Sequence, residues 1–415
     1  MFARRLASVR SLLHRIDHPV LDTALVARAV ELLVGPAPRA LRVRALADFY
    51  YSQAARLHHQ STTPARPLNA LVADAVWHSV GPGLHHAQLT GPGPAGPVHI
   101  NLLRGEHIAI RCVHLAGNTA PLHEIAREQG ATAAVSGGFF LYSEPDIPPP
   151  LARRDPVGLL IQDGRVRSGP TLRRATVWQD ASGIHIDRVG PEGWTVSVAG
   201  TPVEIAACNR SDPGPSWFNR ASGHHAPASG LQVRGSTARG RGRTIDLLGG
   251  VLTQTAYDAV EGPIQWHPPK GWSQAMAGGP MLLGPGPTLD LAHEDFAHDA
   301  PPITFSRDET YDENLLPRMA AGLDDSGRLF LAAIDGRNFD QAPGFTLRMT
   351  ADLMRALGCV HAMNLDGGSS KRMAIGNRCV DLASTEVVAA GAAPSKTRAV
   401  VSAILLYCDE DRTPS

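Results

Sequence analysis

The strongest constraint on the fold is a local pattern that recurs four times, in which a short apolar segment meets a cluster of small residues. The four clusters are SGGFF (136–140), AGGP (277–280), DGRN (335–338) and DGGSS (366–370). Short apolar runs bounded by glycine-rich turns are typical of buried strands. The pattern therefore predicts a strand-rich core in which polar groups collect at the strand ends.

The chain from Val98 onwards repeats this alternation of strand and turn. VHINLLRGEHIAIRCVHL (98–115) predicts a hairpin that turns at 104–106, and VGLLIQDGRVRS (157–168) predicts one that turns at Asp163-Gly164. The best helical pattern in this part runs from Thr346 to Leu357. We expect an α+β fold, with a strand-rich mixed sheet and a helical N-terminal extension.

The N-terminal part differs from the rest in its spacing of apolar residues. Leu6, Val9, Leu12, Leu13 and Ile16 recur at helical intervals, and similar patterns continue to about residue 80, the last near 68–80. GPGLHHAQLTGPGPAGP (81–97) is rich in glycine and proline and predicts a linker. We predict a helical extension over 1–80, a linker over 81–97 and a main domain over 98–408.

Composition excludes several functional classes. The 39 basic residues balance the 39 acidic ones, so the chain lacks the overall positive charge of a nucleic-acid-binding protein. No apolar stretch reaches the roughly 18 residues of a membrane span. Charged residues interrupt the N-terminal segment, so it is a poor signal peptide, and we expect a cytoplasmic protein. The five scattered cysteines lack zinc spacing and are expected to be buried thiols.

The glycine clusters also suggest chemistry. Paired glycines let the backbone approach a ligand closely and expose its amides. Asp335 and Asp366 each follow a predicted strand, and Arg337 stands beside the first of them. If these strands are neighbours, their turns form one rim with two carboxylates, cations and amide donors. Asp163-Gly164 is different, because its hairpin already explains it as a turn.

The four clusters, together with PRMAAGLDDSGRLFLAAIDGRN (317–338), resemble the phosphodiester glycosidase family in their order and spacing. The resemblance covers residues 98–407 and is most specific over 317–370. It implies a strand-rich α+β fold and cleavage between an anomeric carbon and a phosphate. The sequence differs from the usual family pattern in three places: Ser136 replaces an asparagine, two glycines instead of three precede Ser369, and Met319 replaces a threonine after Arg318.

The resemblance implies roles for particular residues. Glycoside cleavage passes through an oxocarbenium-like state, commonly handled by two carboxylates, here Asp335 and Asp366, with their individual roles left open. Arg318 and Arg337 are expected to pair with the phosphate, with help from Lys371 or Arg372. The residues expected to line the substrate pocket are Ser136, Gly137, Gly138, Gly278, Gly279, Asn364, Gly367, Gly368, Ser369, Ser370 and Arg398.

Other functional classes stay open at this point. The oxygens of Asp335 and Asp366 would suit Ca²⁺ or Mg²⁺ in a metal-dependent hydrolase, although nothing in the sequence requires a cofactor. HEDFAH (293–298) lacks the HExxH spacing of a zinc site. A transferase, or a sugar- or phosphate-binding module without catalysis, could use the same pocket. The expected partner is a small glycosyl phosphodiester or a glycoconjugate, and the oligomeric state is left open.

Overall fold

The structure is a computed structural model of the 415-residue chain. It describes residues 48–49, 51–53, 55–56, 58–59, 64–115, 118–140, 156–170, 173–198, 200–204, 207–208, 216–218, 231–234, 237–239, 250–253, 262–268, 271–286, 288–289, 294, 314–338, 340–384 and 398–408.

Strands dominate the described residues. The first nine are β1 (His78–Gly81), β2 (Leu84–Gly93), β3 (Gly96–Gly105), β4 (Ala109–His114), β5 (Ala133–Ser136), β6 (Leu160–Gln162), β7 (Arg165–Ser168), β8 (Arg174–Asp180) and β9 (Gly183–Val189). The next eight are β10 (Thr195–Val198), β11 (Thr201–Glu204), β12 (Ala207–Cys208), β13 (Ser216–Phe218), β14 (Leu231–Arg234), β15 (Thr237–Arg239), β16 (Gly250–Thr253) and β17 (Gly262–His267). The last eight are β18 (Gln274–Ala277), β19 (Met281–Leu283), β20 (Arg318–Asp324), β21 (Leu329–Ile334), β22 (Cys359–Leu365), β23 (Met373–Ile375), β24 (Arg378–Cys379) and β25 (Ser402–Tyr407).

Three α-helices with defined bounds accompany the strands: α1 (Leu68–Ala73), α2 (Leu122–Glu128) and α3 (Leu347–Ala356). The predicted helix from Thr346 to Leu357 is confirmed as α3. The Thr346 hydroxyl caps it by accepting a hydrogen bond from the Met349 backbone N at 3.1 Å. One short 3₁₀ turn spans Gly368–Ser370.

The strands form four sheets among the described residues. Sheet 1 has the order β1-β2-β3-β21-β20-β22-β19, and sheet 2 has the order β24-β23-β5-β25-β4. Sheet 3 is β7-β6-β18-β8-β9, and sheet 4 is β11-β10-β17-β15-β14-β16-β13-β12. Pairing is antiparallel, except that β12 and β13 run parallel. The predicted strand-rich architecture is confirmed, whereas a helical N-terminal extension is not shown, since residues 1–47 lie outside the described part.

Strands β20 and β21 of sheet 1 are buried on both faces, which explains their almost continuous apolar sequences. Side chains alternate along each strand. Met319, Leu331 and Ala333 enter a central core shared with sheets 2 and 3. Ala320 and Phe330 enter a second core beneath α1 and α3. α2 covers the outer face of sheet 2.

Two predictions near the start of the main domain are wrong. Residues 81–97 are not a linker: β2 and β3 pair from Leu84↔Gly105 to Gly93↔Gly96 and belong to sheet 1. Glycine and proline residues form the turn between the two strands. Leu84 and Leu89 of β2 are buried. The segment 98–115 is not a hairpin either, because β3 pairs with β2 and β21 whereas β4 pairs with β25 in sheet 2.

Three other predictions concern turns, thiols and membrane spans. The 157–168 hairpin is confirmed, with φ of 52° at Asp163 and 70° at Gly164, as a type I′ turn requires. Cys112, Cys359 and Cys408 are buried free thiols, and burial raises the pKa of Cys359 to about 12. Within the described ranges, no helix is both long and apolar enough to span a membrane.

Parts of the predicted N-terminal helices are also visible. Described positions between residues 48 and 59 are helical and pack against the loop before α3. The Tyr51 hydroxyl donates to the Pro343 carbonyl at 2.8 Å, and the Leu315 N donates to the Ser52 hydroxyl at 2.7 Å. α1 is shorter than the predicted 68–80 helix, because strand β1 already begins at His78.

We predict that His86 makes the fold sensitive to acid. Burial lowers the pKa of His86, and the hydrogen bond to Asn101 at 3.0 Å only partly offsets that effect. The unfolded chain therefore binds more protons than the folded one as the pH falls through about 6.5, so the free energy of unfolding decreases. His86→Gln should flatten the dependence of the unfolding midpoint on pH between about 5 and 7. An unchanged slope, or an equal flattening by the exposed-site variant His78→Gln, contradicts this assignment.

Candidate functional site

Four chain segments meet at one end of sheet 1. Antiparallel pairing sets Arg318 opposite Ile334, Met319 opposite Leu365, and Ile334 opposite Ile100. The start of β20, the ends of β21 and β22, and the first half of β3 therefore share one edge. The 366–372 segment leaves this edge and enters sheet 2 at β23, so it joins the two sheets at the site.

The predicted glycine-rich turns are neighbours at this edge. The Asp366 N donates to the Gly137 carbonyl at 3.2 Å, the Gly279 N donates to the Asn364 carbonyl at 2.7 Å, and the Gly368 N donates to the Pro317 carbonyl at 2.9 Å. Lys371, which follows the DGGSS turn, contacts Asp335 of the DGRN turn. The structure thus brings all four clusters into one region.

Asp335 is the hub of this region. It continues the alternation of Leu331 and Ala333 and so points toward sheet 2. Its Oδ1 contacts Lys371 Nζ, and its Oδ2 contacts His99 Nδ1. The Leu382 N also donates to Oδ2 at 3.2 Å. The Asp335 side chain is 1% exposed, so its oxygens face protein donors instead of an open rim.

A second buried carboxylate, Asp381, completes the cluster. Its Oδ2 lies 2.7 Å from Lys371 Nζ, and its Oδ1 lies 3.3 Å from Arg372 Nη2. Oδ1 also accepts a hydrogen bond from the Met373 N at 2.9 Å. Burial is the largest effect and by itself would lower the pKa of Arg372, but Asp381, Cys379 and Asp335 together outweigh it, so the pKa is raised. The negative charges of two carboxylates and the positive charges of two cations thus cancel in the protein interior.

His99 and Asp381 were missed by the sequence reasoning. Neither stands in a glycine-rich cluster, and each joins the site only through pairing between distant strands. One signal was available for His99, because it is a titratable residue near the start of a mainly apolar segment, VHINLL, whose other polar residue is Asn101.

The two arginines predicted to hold phosphate lie in the interior. Arg318 is fully buried, and its Nε and Nη2 donate to the Phe345 and Asn314 carbonyls at 3.0 and 3.1 Å. It shares the α3-facing side of β20 with Ala320. Arg337 is buried with its Nη2 3.5 Å from Asp48 Oδ2. Its φ of 58° is a sparsely populated backbone conformation for arginine. Both side chains thus pack within the loops around the site instead of lining a rim.

The predicted role of the glycine amides is also largely wrong. Of the six glycines, four donate to backbone carbonyls, namely Gly137 to Ser402, Gly278 to Ala175, Gly279 to Asn364 and Gly368 to Pro317. Within the described residues, the amides of Gly138 and Gly367 show no such bond. The glycines are needed mainly because the backbones pack closely here.

Ser136 and Asn364 are likewise engaged with the backbone. The Ser136 hydroxyl accepts a hydrogen bond from the Arg372 N at 3.1 Å, and the Asn364 Nδ2 donates to the Gly279 carbonyl at 3.0 Å. Ser136 therefore holds the start of β23, and Asn364 holds the AGGP turn. Both side chains therefore position backbone segments of the site.

Arg398 lies nearer the surface than the four buried cations of this region, Arg318, Arg337, Lys371 and Arg372. It is partly exposed, its Nη1 donates to the Ser369 hydroxyl at 2.6 Å, and its guanidinium lies 5.6 Å from the Phe140 ring centroid. Ser370, the last residue of the 3₁₀ turn, follows directly. Cation and hydroxyl groups together suit an anionic oxygen ligand.

Binding of Ca²⁺ or Mg²⁺ at Asp335 and Asp366 stays a prediction. Within the described ranges, no group of three or more histidine, cysteine, aspartate or glutamate side chains is placed to hold a metal ion. The Asp335 oxygens contact Lys371 and His99.

Comparison with known families confirms the resemblance. The family model for phosphodiester glycosidase matches residues 223–407, which include β20, β21, β22 and the DGGSS turn. Comparison with curated proteins gave no significant match.

Two solved structures share the fold, and a third aligns with a lower score. A hypothetical protein from Synechocystis aligns with a TM-score of 0.55 at 22% identity over 78% of this chain, which spans 62% of that protein's length. A protein of Burkholderia pseudomallei K96243, described as exported, aligns with a TM-score of 0.55 at 21% identity, covering 76% of this chain and 75% of its own. The catalytic domain of zebrafish N-acetylglucosamine-1-phosphodiester alpha-N-acetylglucosaminidase, auto-inhibited by pro-peptide, aligns with a TM-score of 0.46 at 15% identity over 80% of this chain and 85% of that one.

We predict that Lys371→Met strongly destabilises the fold. The side chain is fully buried between Asp335 and Asp381, so its loss leaves buried negative charge without its main partner. Breaking a buried pair in this way costs about 3–5 kcal/mol. Chemical denaturation measures the effect. The control Arg355→Met removes an exposed pair with Asp352 and should change stability by about 0.5 kcal/mol or less. Equal effects in the two variants contradict the prediction.

Gly367→Ala should also destabilise the fold. A Cβ at this position would lie 2.5 Å from the Pro317 carbonyl oxygen, which is backbone and cannot rotate away. Overpacking of this kind costs about 1–3 kcal/mol. At Gly271 a Cβ would meet nothing within 4 Å, so Gly271→Ala is the matched control. Thermal unfolding of both variants measures the loss of stability. If Gly367→Ala is as stable as Gly271→Ala, the backbone at position 367 is not closely packed.

Proposed function

We propose that this chain, whose residues 223–407 match the phosphodiester glycosidase family, hydrolyses a sugar-1-phosphodiester or a similar sugar–phosphate linkage. The observation that carries the proposal is that match, because the matched segment contains both Asp335 and Asp366. The glycine-rich motifs of the site also lie together at one edge of sheet 1. The proposed substrate class is a small glycosyl phosphodiester or a glycoconjugate, and the cytoplasmic location stays a prediction.

We assign Asp366 as the carboxylate that faces the sugar. It directly follows β22, and its backbone N donates to the Gly137 carbonyl. A carboxylate near the anomeric carbon stabilises the positive charge that develops as the glycosidic bond breaks. Asp335 is less suited to this task, because Lys371 and His99 occupy its oxygens.

The phosphate side of the substrate is assigned to Arg398 and Ser369. A phosphate leaving group needs charge neutralisation more than a strong proton donor, and a partly exposed guanidinium supplies it. The amides of Gly138 and Gly367 are the two backbone donors proposed to assist. Arg318 and Arg337 are proposed to act indirectly, by holding the loops that carry these groups.

Hydrolysis of a panel of sugar-1-phosphodiesters and nucleotide sugars tests the proposal. The wild type should release free sugar, with the phosphate left on the other product. Asp366→Asn removes the negative charge at nearly constant shape and should lower kcat/KM about 100-fold or more. The control Asp352→Asn changes an exposed aspartate on α3 and should leave the rate unaltered. Parallel assays with EDTA report any dependence on Ca²⁺ or Mg²⁺.

Two outcomes count against the proposal. If no substrate is turned over while sugar phosphates still bind, the chain is a binding module that uses the same pocket. If sugar is released equally by the wild type and by Asp366→Asn, the reaction class can stand but the assignment of Asp366 is wrong.

A further inference from the structure

We infer that His99 is the acid–base group of the site and that Asp335 is its positioning residue. This inference rests on the proposed hydrolysis and changes the role that the sequence suggests for Asp335. It follows from the contacts of the imidazole, from its exposure and from the charges around it.

The contacts determine which ring nitrogen carries a proton. Asp335 Oδ2 is a carboxylate oxygen and can only accept, so the His99 Nδ1 in contact with it must donate. The neutral imidazole then carries its lone pair on Nε2. The Asp335 N also donates to the His99 carbonyl at 3.0 Å, so the two residues are joined by backbone and by side chain.

Exposure distinguishes the two partners. The Asp335 side chain is 1% exposed and the His99 side chain is 20% exposed. Nε2 has no hydrogen-bond partner within the described residues. The carboxylate is thus shielded by its donors, while the imidazole is the part of the pair that a water or substrate can reach.

The surrounding charges suit a proton-transfer role. The charged groups that face the pair are Lys371 and, through it, Asp381 with Arg372. These four ionised groups, Asp335 included, sum to zero while His99 is neutral. A proton gained on Nε2 during the reaction places its positive charge beside the Asp335 carboxylate.

The proposed reaction is displacement of the phosphate by water at the anomeric carbon. A water oxygen forms a bond to the anomeric carbon, and the bond from that carbon to the phosphate oxygen breaks, with its electron pair on the phosphate. His99 Nε2 takes the proton from the attacking water. The imidazolium then releases that proton to solvent, and the neutral imidazole is restored.

The test compares kcat/KM across pH for the wild type, His99→Gln and His99→Ala with a hydrolysed substrate. His99→Gln retains a side-chain amide that can donate to Asp335, and it should lower kcat/KM about 100-fold or more. It should also abolish the fall in activity at acidic pH that reports protonation of a base. Added imidazole should restore part of the activity of His99→Ala, which a purely structural role would not allow. Thermal unfolding verifies that each variant folds.

A matched control comes from a second histidine–aspartate pair in the described ranges, His185 and Asp180 on sheet 3, which lie 3.3 Å apart. His185→Gln should keep both the rate and the pH profile. If the wild type is active and His99→Gln keeps its rate and profile, or if folded His99→Ala does not respond to imidazole, the role of His99 is overturned while the hydrolase proposal stands. A wild type inactive toward every substrate overturns both.

Discussion

The buried ion cluster of Asp335, Lys371, Asp381 and Arg372 is the interaction on which the rest of the site depends. Each buried charge carries a desolvation penalty of several kcal/mol, which only close pairing offsets. The cluster therefore requires the end of β21, the 366–372 segment and the residues after β24 to adopt fixed relative positions. Ion pairs as well as the covalent chain join sheets 1 and 2 at this point. A site held in this way is preorganised, because its loops cannot move without separating ions in the interior.

Close backbone packing supplies the second constraint. A side chain on Gly367 would meet the Pro317 carbonyl, and four of the six glycine amides are already bonded to other backbone groups. Glycine at a strand end has the same appearance in a sequence whether it exposes an amide to a ligand or lets two segments touch. The structure favours the second use for most of them. The ligand-facing chemistry is therefore left to a few side chains, with Asp366, Ser369, Arg398 and His99 as the candidates.

The local sequence was sufficient to predict the elements that carry a clear apolar pattern, a helix cap or a turn dipeptide. β20, β21, β22 and α3 follow from apolar runs and a threonine cap, and the Asp163-Gly164 turn follows from its dipeptide. The 81–97 segment was misread because its buried leucines are separated by glycine, proline and histidine, and only pairing with the next strand shows them to be a hairpin. The convergence of the motifs was predicted, but His99 and Asp381 were not. Their proximity depends on register between strands far apart in sequence.

The replacement of the family asparagine by Ser136 bears on whether the site is catalytic. The Ser136 hydroxyl accepts from the Arg372 N and so keeps the ion cluster anchored to β5. Ser136 thus supplies a structural contact at the point where β23 begins. A module that only bound sugar phosphate would need cations and hydroxyls at its surface, and Arg398 with Ser369 would be enough. Such a module could use the buried carboxylate held by Lys371 to join the two sheets, but it would not need that carboxylate directed at one nitrogen of a partly exposed imidazole. That arrangement fixes a tautomer, and fixing a tautomer matters when a proton is to be transferred.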